Sequence, residues 1–136
     1  MPHRRTVQRP TRPPRRPTHR VAGASQRGRR DPTIVLTTIG SDTKAEDLAR
    51  ALIEERLAAC VNISAEMVSI YRWKDRLEQD RERQIVIKTT ADRVDALAAR
   101  IRALHPYELP EFLVISVAGG SKEYLAWVGE SVSRSS

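Results

Sequence analysis

The pattern of apolar and breaker residues predicts an α+β fold in the order β-α-β-β-α-β, with one more helix at the end. Three observations carry this. Apolar, β-branched stretches recur at 33–40, 58–73, 84–90 and 112–118; stretches of helical period fall between them at 43–57 and 90–104; Gly and Pro mark the boundaries.

Each element has its own signature. TIVLTTIG (33–40) is a β-branched run ended by Gly40, which reads as a buried strand. Thr43 and Glu46 have capping-box spacing, and Leu48, Leu52, Ile53 and Leu57 repeat at helical intervals, so the first helix is expected over 43–57. AACVNISAEMVSIYRW (58–73) favours a long extended strand, bent near Ala65-Glu66. KDRLEQDRER (74–83) reads as a charged, solvated hairpin tip, and QIVIKTT (84–90) as the returning strand. Val94, Leu97, Ala98, Ile101 and Leu104 form the apolar stripe of a second helix that starts near Thr90 and stops before Pro106. HPYELPE (105–111) is a stiff connector, FLVISVA (112–118) the fourth strand, and Ser121 the cap of a helix over about 121–131.

This order is the split βαβ pattern of the ferredoxin-like fold. Two helices cover one face of its sheet. The first, third and fourth strands are apolar at nearly every position instead of alternating, so the second face also needs a cover, and the expected cover is another subunit.

The formal charge of +7 is unevenly placed. Residues 1–30 hold ten Arg and no acid, whereas the remainder carries 14 basic and 17 acidic side chains, so a tail of +10 precedes a domain of −3. Residues 1–31 include five Pro and little to bury, which predicts a disordered Arg/Pro-rich tail ahead of one domain over 32–136. The tail reads either as an arm for nucleic acid or another anionic surface, or as a solubilising or non-functional leader. No apolar run reaches the roughly 18 residues of a membrane helix, and no secretory signal is evident. The single cysteine, Cys60, forms no internal disulfide, and no Cys/His cluster has zinc spacing; a cytoplasmic protein is expected.

Residues 33–131 resemble the CutA divalent-ion-tolerance family. The resemblance lies in ALIEERLAACVNI (51–63), VSIYRWKDRLEQD (68–80), IVIKTT (85–90), HPYELPEFLVISV (105–117) and YLAWV (124–128), in order along the chain. It implies a ferredoxin-like protomer in a stable homotrimer with long strands pairing across subunits, and binding of copper and other divalent metal ions with no established catalytic reaction. It also implies metal ligands at positions occupied here by Leu104, His105 and Thr37.

The residues themselves supply candidates. His105, the domain's one histidine, is a metal donor or a helix-end His, and Glu108 and Glu111 are oxygen donors beside it. Strand and helix directions place the end of the first strand and the end of the second helix at one edge, making Thr37 and His105 neighbours. Cys60 is a soft donor or a small core residue, at the opposite edge, roughly 20 Å away by helix length. Tyr71, Trp73, Tyr107 and Trp127 are read as interface anchors. Tyr71, Lys88, Tyr107 and Glu108 could instead line a cleft between subunits for a small anion or metabolite, by analogy with the trimeric PII regulators.

Two functions follow: a non-catalytic, trimeric copper or divalent-metal protein of the metal-ion response, or a PII-like regulatory or scaffold trimer binding a small molecule or protein at its clefts. An enzyme is not expected. The loop Ile39-Gly40-Ser41-Asp42-Thr43 carries an acid and no Arg, unlike a phosphate-cradling loop, and no nucleophile–base pair has recognisable spacing.

Overall fold

The computed structural model describes residues 29–134; of the tail expected to be disordered over 1–31, residues 1–28 lie outside that range, and Asp31 accepts from the Ala91 amide at 2.8 Å. The chain runs β1 (Pro32–Gly40), α1 (Ala45–Glu54), β2 (Cys60–Ile63), β3 (Met67–Trp73), β4 (Arg76–Thr90), a 3-10 turn (Ala91–Arg93), α2 (Val94–Leu104), β5 (Leu113–Ser116) and α3 (Lys122–Ser131). The antiparallel sheet has the order β2-β4-β1-β5, and β3 continues the line of β2 along β4. Among the described residues no helix is long and apolar enough to cross a membrane.

Hydrophobic periodicity explains the core. Val35 and Ile39 of β1 and Ile85 and Ile87 of β4 face Leu48 and Leu52 of α1 and Val94, Leu97 and Ile101 of α2, all buried. Each such side chain contributes on the order of 2 kcal/mol through removal of apolar surface from water. The opposite sheet face is formed by the alternate residues. Across it, Cys60, Lys88, Ile34 and Ile115 make one row, and Asn62, Val86, Leu36 and Leu113 the next. Leu113 is 53% exposed and Ile115 44%.

Expected positions are met at several boundaries. The bend expected near Ala65-Glu66 separates β2 from β3. Register moves from Ile63↔Ile85 to Met67↔Glu82, so three residues on one side oppose two on the other, a β-bulge. Ser64 holds it through its hydroxyl, which accepts from the Gln84 amide at 2.8 Å. Ser121 caps α3 by accepting from the Tyr124 amide at 3.2 Å. Ser121→Ala is expected to cost about 1 kcal/mol of helix stability, seen as faster amide exchange confined to α3.

Three readings need correction. The Thr43–Glu46 capping box does not form: α1 starts at Ala45, its N-cap is Lys44, and no side chain caps it. Its end comes at Glu54 rather than Leu57. The amides of Arg56 and Leu57 reach the carbonyls of Ile53 and Leu52 in a Schellman closure, with Arg56 left-handed at φ 57°. The charged stretch 74–83 is also no solvated connection. Lys74 and Asp75 alone make the turn, at φ 51° and 65°, and Arg76–Glu82 extends β4 into a hairpin arm paired residue by residue with β3. A two-stranded arm that stands out from the sheet can be strand without an apolar alternation, so charge there does not signal a loop.

Candidate functional site

The connector after α2 closes over the end of β1, and a polar cluster forms beneath it. His105 is 2% exposed; its Nε2 lies 2.6 Å from the Thr38 carbonyl oxygen, and its Nδ1 accepts from the Tyr107 amide at 3.1 Å. Since Nδ1 accepts, the neutral ring carries its proton on Nε2 and donates it to Thr38. The Tyr107 ring lies 4.7 Å from the imidazole, and its hydroxyl donates to Glu82 Oε2 at 2.8 Å. Glu82 is 0% exposed.

Gly40 makes room for this arrangement. It stands opposite Glu82 in register, and a Cβ there would lie 2.9 Å from Asp42 Oδ1 and 3.4 Å from the Tyr107 hydroxyl. Nearby, Gln84 Nε2 donates to the Thr37 carbonyl at 2.7 Å and to Glu111 Oε2 at 3.2 Å. The hydroxyls of Thr37 and Thr38 are buried with no hydrogen-bond partner.

The expected proximity of His105 to the end of β1 therefore holds: the ring touches Thr38, next to Thr37. Glu108 is exposed on the connector, Leu104 is 40% exposed and Glu111 is half-buried. Cys60 is half-buried on the sheet face away from α1 and α2, opposite Lys88. Thr38 is opposite Gln84 and Cys60 opposite Lys88, so the two are offset by four residues, roughly 13 Å, along β4 and lie on either side of it. Among the described residues, no group of three His, Cys, Asp or Glu side chains is placed to hold a metal ion.

The aromatic candidates separate. Tyr107 is buried within its own chain. Tyr71 and Trp73 are half-buried on the arm; the Tyr71 hydroxyl donates to Asp80 Oδ2 at 2.8 Å, and Lys74 Nζ stands 5.6 Å from the Trp73 ring centre. Trp127 is exposed on α3, 5.4 Å from the Tyr124 ring. Tyr71 is in register with Glu78, ten residues along β4 from Lys88, roughly 33 Å. A cleft containing both must take them from different copies.

Sequence reasoning missed Glu82 and Gln84. Glu82 lay within the stretch read as solvated, and the one signal for it was Gly40, whose missing side chain opposes it. Leu77, exposed on the hairpin arm, was likewise hidden among charged neighbours.

Comparison with known proteins agrees with this architecture. Residues 33–131 match the family model described as CutA1 divalent ion tolerance protein. The divalent-cation tolerance protein CutA of Thermus thermophilus is 45% identical over 98 residues, which cover 72% of this chain and 95% of that protein. The CutA of Pectobacterium atrosepticum is 40% identical over 102 residues, covering 75% and 93%. The crystal structure of CutA from Xylella fastidiosa superposes with a TM-score of 0.73 at 41% identity, covering 76% of this chain and 99% of that one. With a family model spanning most of the chain and relatives of this identity along nearly their whole length, the chain belongs to the CutA1 divalent ion tolerance family.

Proposed function

We propose that this protein acts in the cytoplasm as a homotrimer that binds divalent cations, copper among them, without catalysing a reaction. The observation that carries this reading is the apolar sheet face opposite α1 and α2. Leu113 and Ile115 on edge strand β5 lie exposed there beside Leu36 and Ile34 of β1, and Val68, Ile70 and Leu77 are exposed separately on the arm. Family membership supports the link to divalent cations.

The donors in this reading come from more than one copy. Both ring nitrogens of His105 are engaged within its own chain, so coordination through either one displaces a backbone partner. Cys60 stands on the face that assembly covers, and Glu108 is exposed at the sheet edge. The test is titration of Cu(I), Cu(II) and Zn(II) into wild type, His105→Gln, Cys60→Ser and Glu108→Gln, each purified without chelators, with native mass spectrometry reporting mass and metal together. Stoichiometric binding weakened by at least one substitution supports the reading. Binding indifferent to all three removes this donor set, and no binding to any ion removes the metal function.

A second reading, a regulatory or scaffold trimer holding a small molecule, draws on one observation. A mainly apolar cavity of about 220 Å³ lies under α3, lined by Ile34, Lys88, Val117, Tyr124, Leu125 and Val128 among others. Lys88 supplies a cation beside apolar walls, the combination that fits a small carboxylate or phosphate ester. Thermal-shift screening against such compounds distinguishes the readings: a selective rise in Tm that Lys88→Gln abolishes favours the second.

A further inference from the structure

The cavity under α3 holds one charged side chain and little else that is polar. Ile34, Val117, Leu125 and Val128 give it apolar walls, and its volume is about 220 Å³. The threonine and serine hydroxyls of its lining residues are already engaged. Thr33 and Thr89 donate to the carbonyls of Asp31 and Leu57 at 2.9 and 2.8 Å, and Ser121 caps α3. Lys88 is different. It is half-buried, paired across the sheet with Ile34 on one side and Cys60 on the other. No Asp or Glu lines the cavity, and no carboxylate of the described residues lies within ion-pair distance of the Lys88 ammonium. An ammonium drawn partly out of water without a counter-charge is costly, and a bound anion offsets that cost.

Gly119 lines the same space, and the fold does not require glycine there. Its φ lies outside the left-handed region, and a Cβ at this position would meet nothing within 4 Å. A side chain would suit the backbone and enter open space, so its absence keeps room in the cavity rather than relieving strain. Gly120 beside it closes the wall instead, since a Cβ there would lie 3.6 Å from the Leu125 side chain.

We infer that this cavity binds a monocarboxylate with a compact apolar body, the carboxylate at Lys88 and the body between α3 and the sheet. The inference rests on the reading of a trimer that holds a small molecule and narrows it to one ligand class. Size sets the body: a dry apolar cavity of about 150 Å³ accepts benzene, so this larger one takes a ring with a short tail or an acyl chain of about eight carbons. Charge sets the head. Lys88 is the one cation in the lining, so it offsets a single negative charge. A phosphate monoester carries roughly 1.5 to 2 negative charges near neutral pH, and the surplus would be desolvated against apolar walls with no second cation to meet it. An amine is repelled by Lys88, and an uncharged ligand leaves the ammonium without its counter-charge.

The test is isothermal titration calorimetry of the full chain with butanoate, hexanoate, octanoate and dodecanoate, and with hexyl phosphate and hexanol as controls. Wild type, Lys88→Gln and Gly119→Leu are compared, with far-ultraviolet circular dichroism confirming that each is folded. Affinity is expected to rise about fourfold per methylene from butanoate to octanoate and to level off by dodecanoate, when the cavity is full. Lys88→Gln should weaken octanoate about tenfold or more and leave hexanol unchanged, because it removes the charge and not the walls. Gly119→Leu should weaken octanoate and hexanol alike by filling their space. Binding of hexyl phosphate through Lys88 with none of the carboxylates would overturn this inference and leave the small-molecule reading standing. Silence from both classes of anion would remove the two together. Octanoate binding indifferent to both substitutions would place the carboxylate elsewhere on the chain and overturn the assignment of this cavity.

Discussion

Leu113→Glu together with Ile115→Glu is expected to leave single folded chains in place of the proposed homotrimer. Both side chains belong to the sheet face opposite α1 and α2, and both are substantially exposed in the isolated protomer. In a single chain the substitution therefore leaves the core of Val35, Ile87, Leu52 and Leu97 intact. In an assembly it buries two carboxylates per copy against apolar neighbours, Ile34 and Leu36 among them, at a cost of several kcal/mol per unpaired charge. A similar penalty repeats at every copy, so even a tight interface should open. Light scattering coupled to size exclusion reads the mass, and far-ultraviolet circular dichroism confirms that the chain stays folded. Tm should fall and become independent of protein concentration, since stability would no longer be linked to association. A variant that keeps the wild-type mass would place the assembly surface elsewhere.

Local rules recovered the elements whose signals are local. The strand over 33–40 and the terminal helix behind Ser121 sit within a residue of where apolar runs and caps place them. The β-bulge after Ile63 appeared as two small or polar residues inside an otherwise apolar stretch. What escaped depends on distant partners. Arg76–Arg81 is a strand because β3 pairs with it, and neither composition nor periodicity carries that fact for an arm that stands out from the sheet. Its turn, Lys74-Asp75, lacks the Gly that usually marks such a hairpin, and Arg56 likewise stands where Gly would announce the end of α1.

The polar cluster divides in the same way. Strand and helix directions alone bring His105 to the end of β1, because α2 runs back along the sheet from the end of β4 and so finishes at the edge where the antiparallel β1 ends. The burial of Glu82 follows from a different event: the connector folds back so that Tyr107, 25 residues further along the chain, reaches it. No pattern around position 82 encodes that contact.

That contact sets the second large effect. Tyr107→Phe removes the phenolic donor from a fully buried carboxylate while keeping the ring that packs beside His105, so the loss is electrostatic rather than a cavity. A hydrogen bond to a charged group in this setting supports a loss of about 2–3 kcal/mol, read as a lower urea midpoint at fixed protein concentration with an unchanged m-value. Glu82→Gln keeps an acceptor for the phenol and removes the charge that burial penalises, so it should cost less than Tyr107→Phe. In Glu82→Gln/Tyr107→Phe the two losses should fall short of their sum by about 1 kcal/mol or more, the signature of groups in direct contact. Simple additivity would show that the carboxylate is held by its other neighbours and that the connector stays closed without this bond. Strong coupling would instead make the Glu82–Tyr107 pair the clasp that holds the connector over β1, and with it the orientation of the His105 ring.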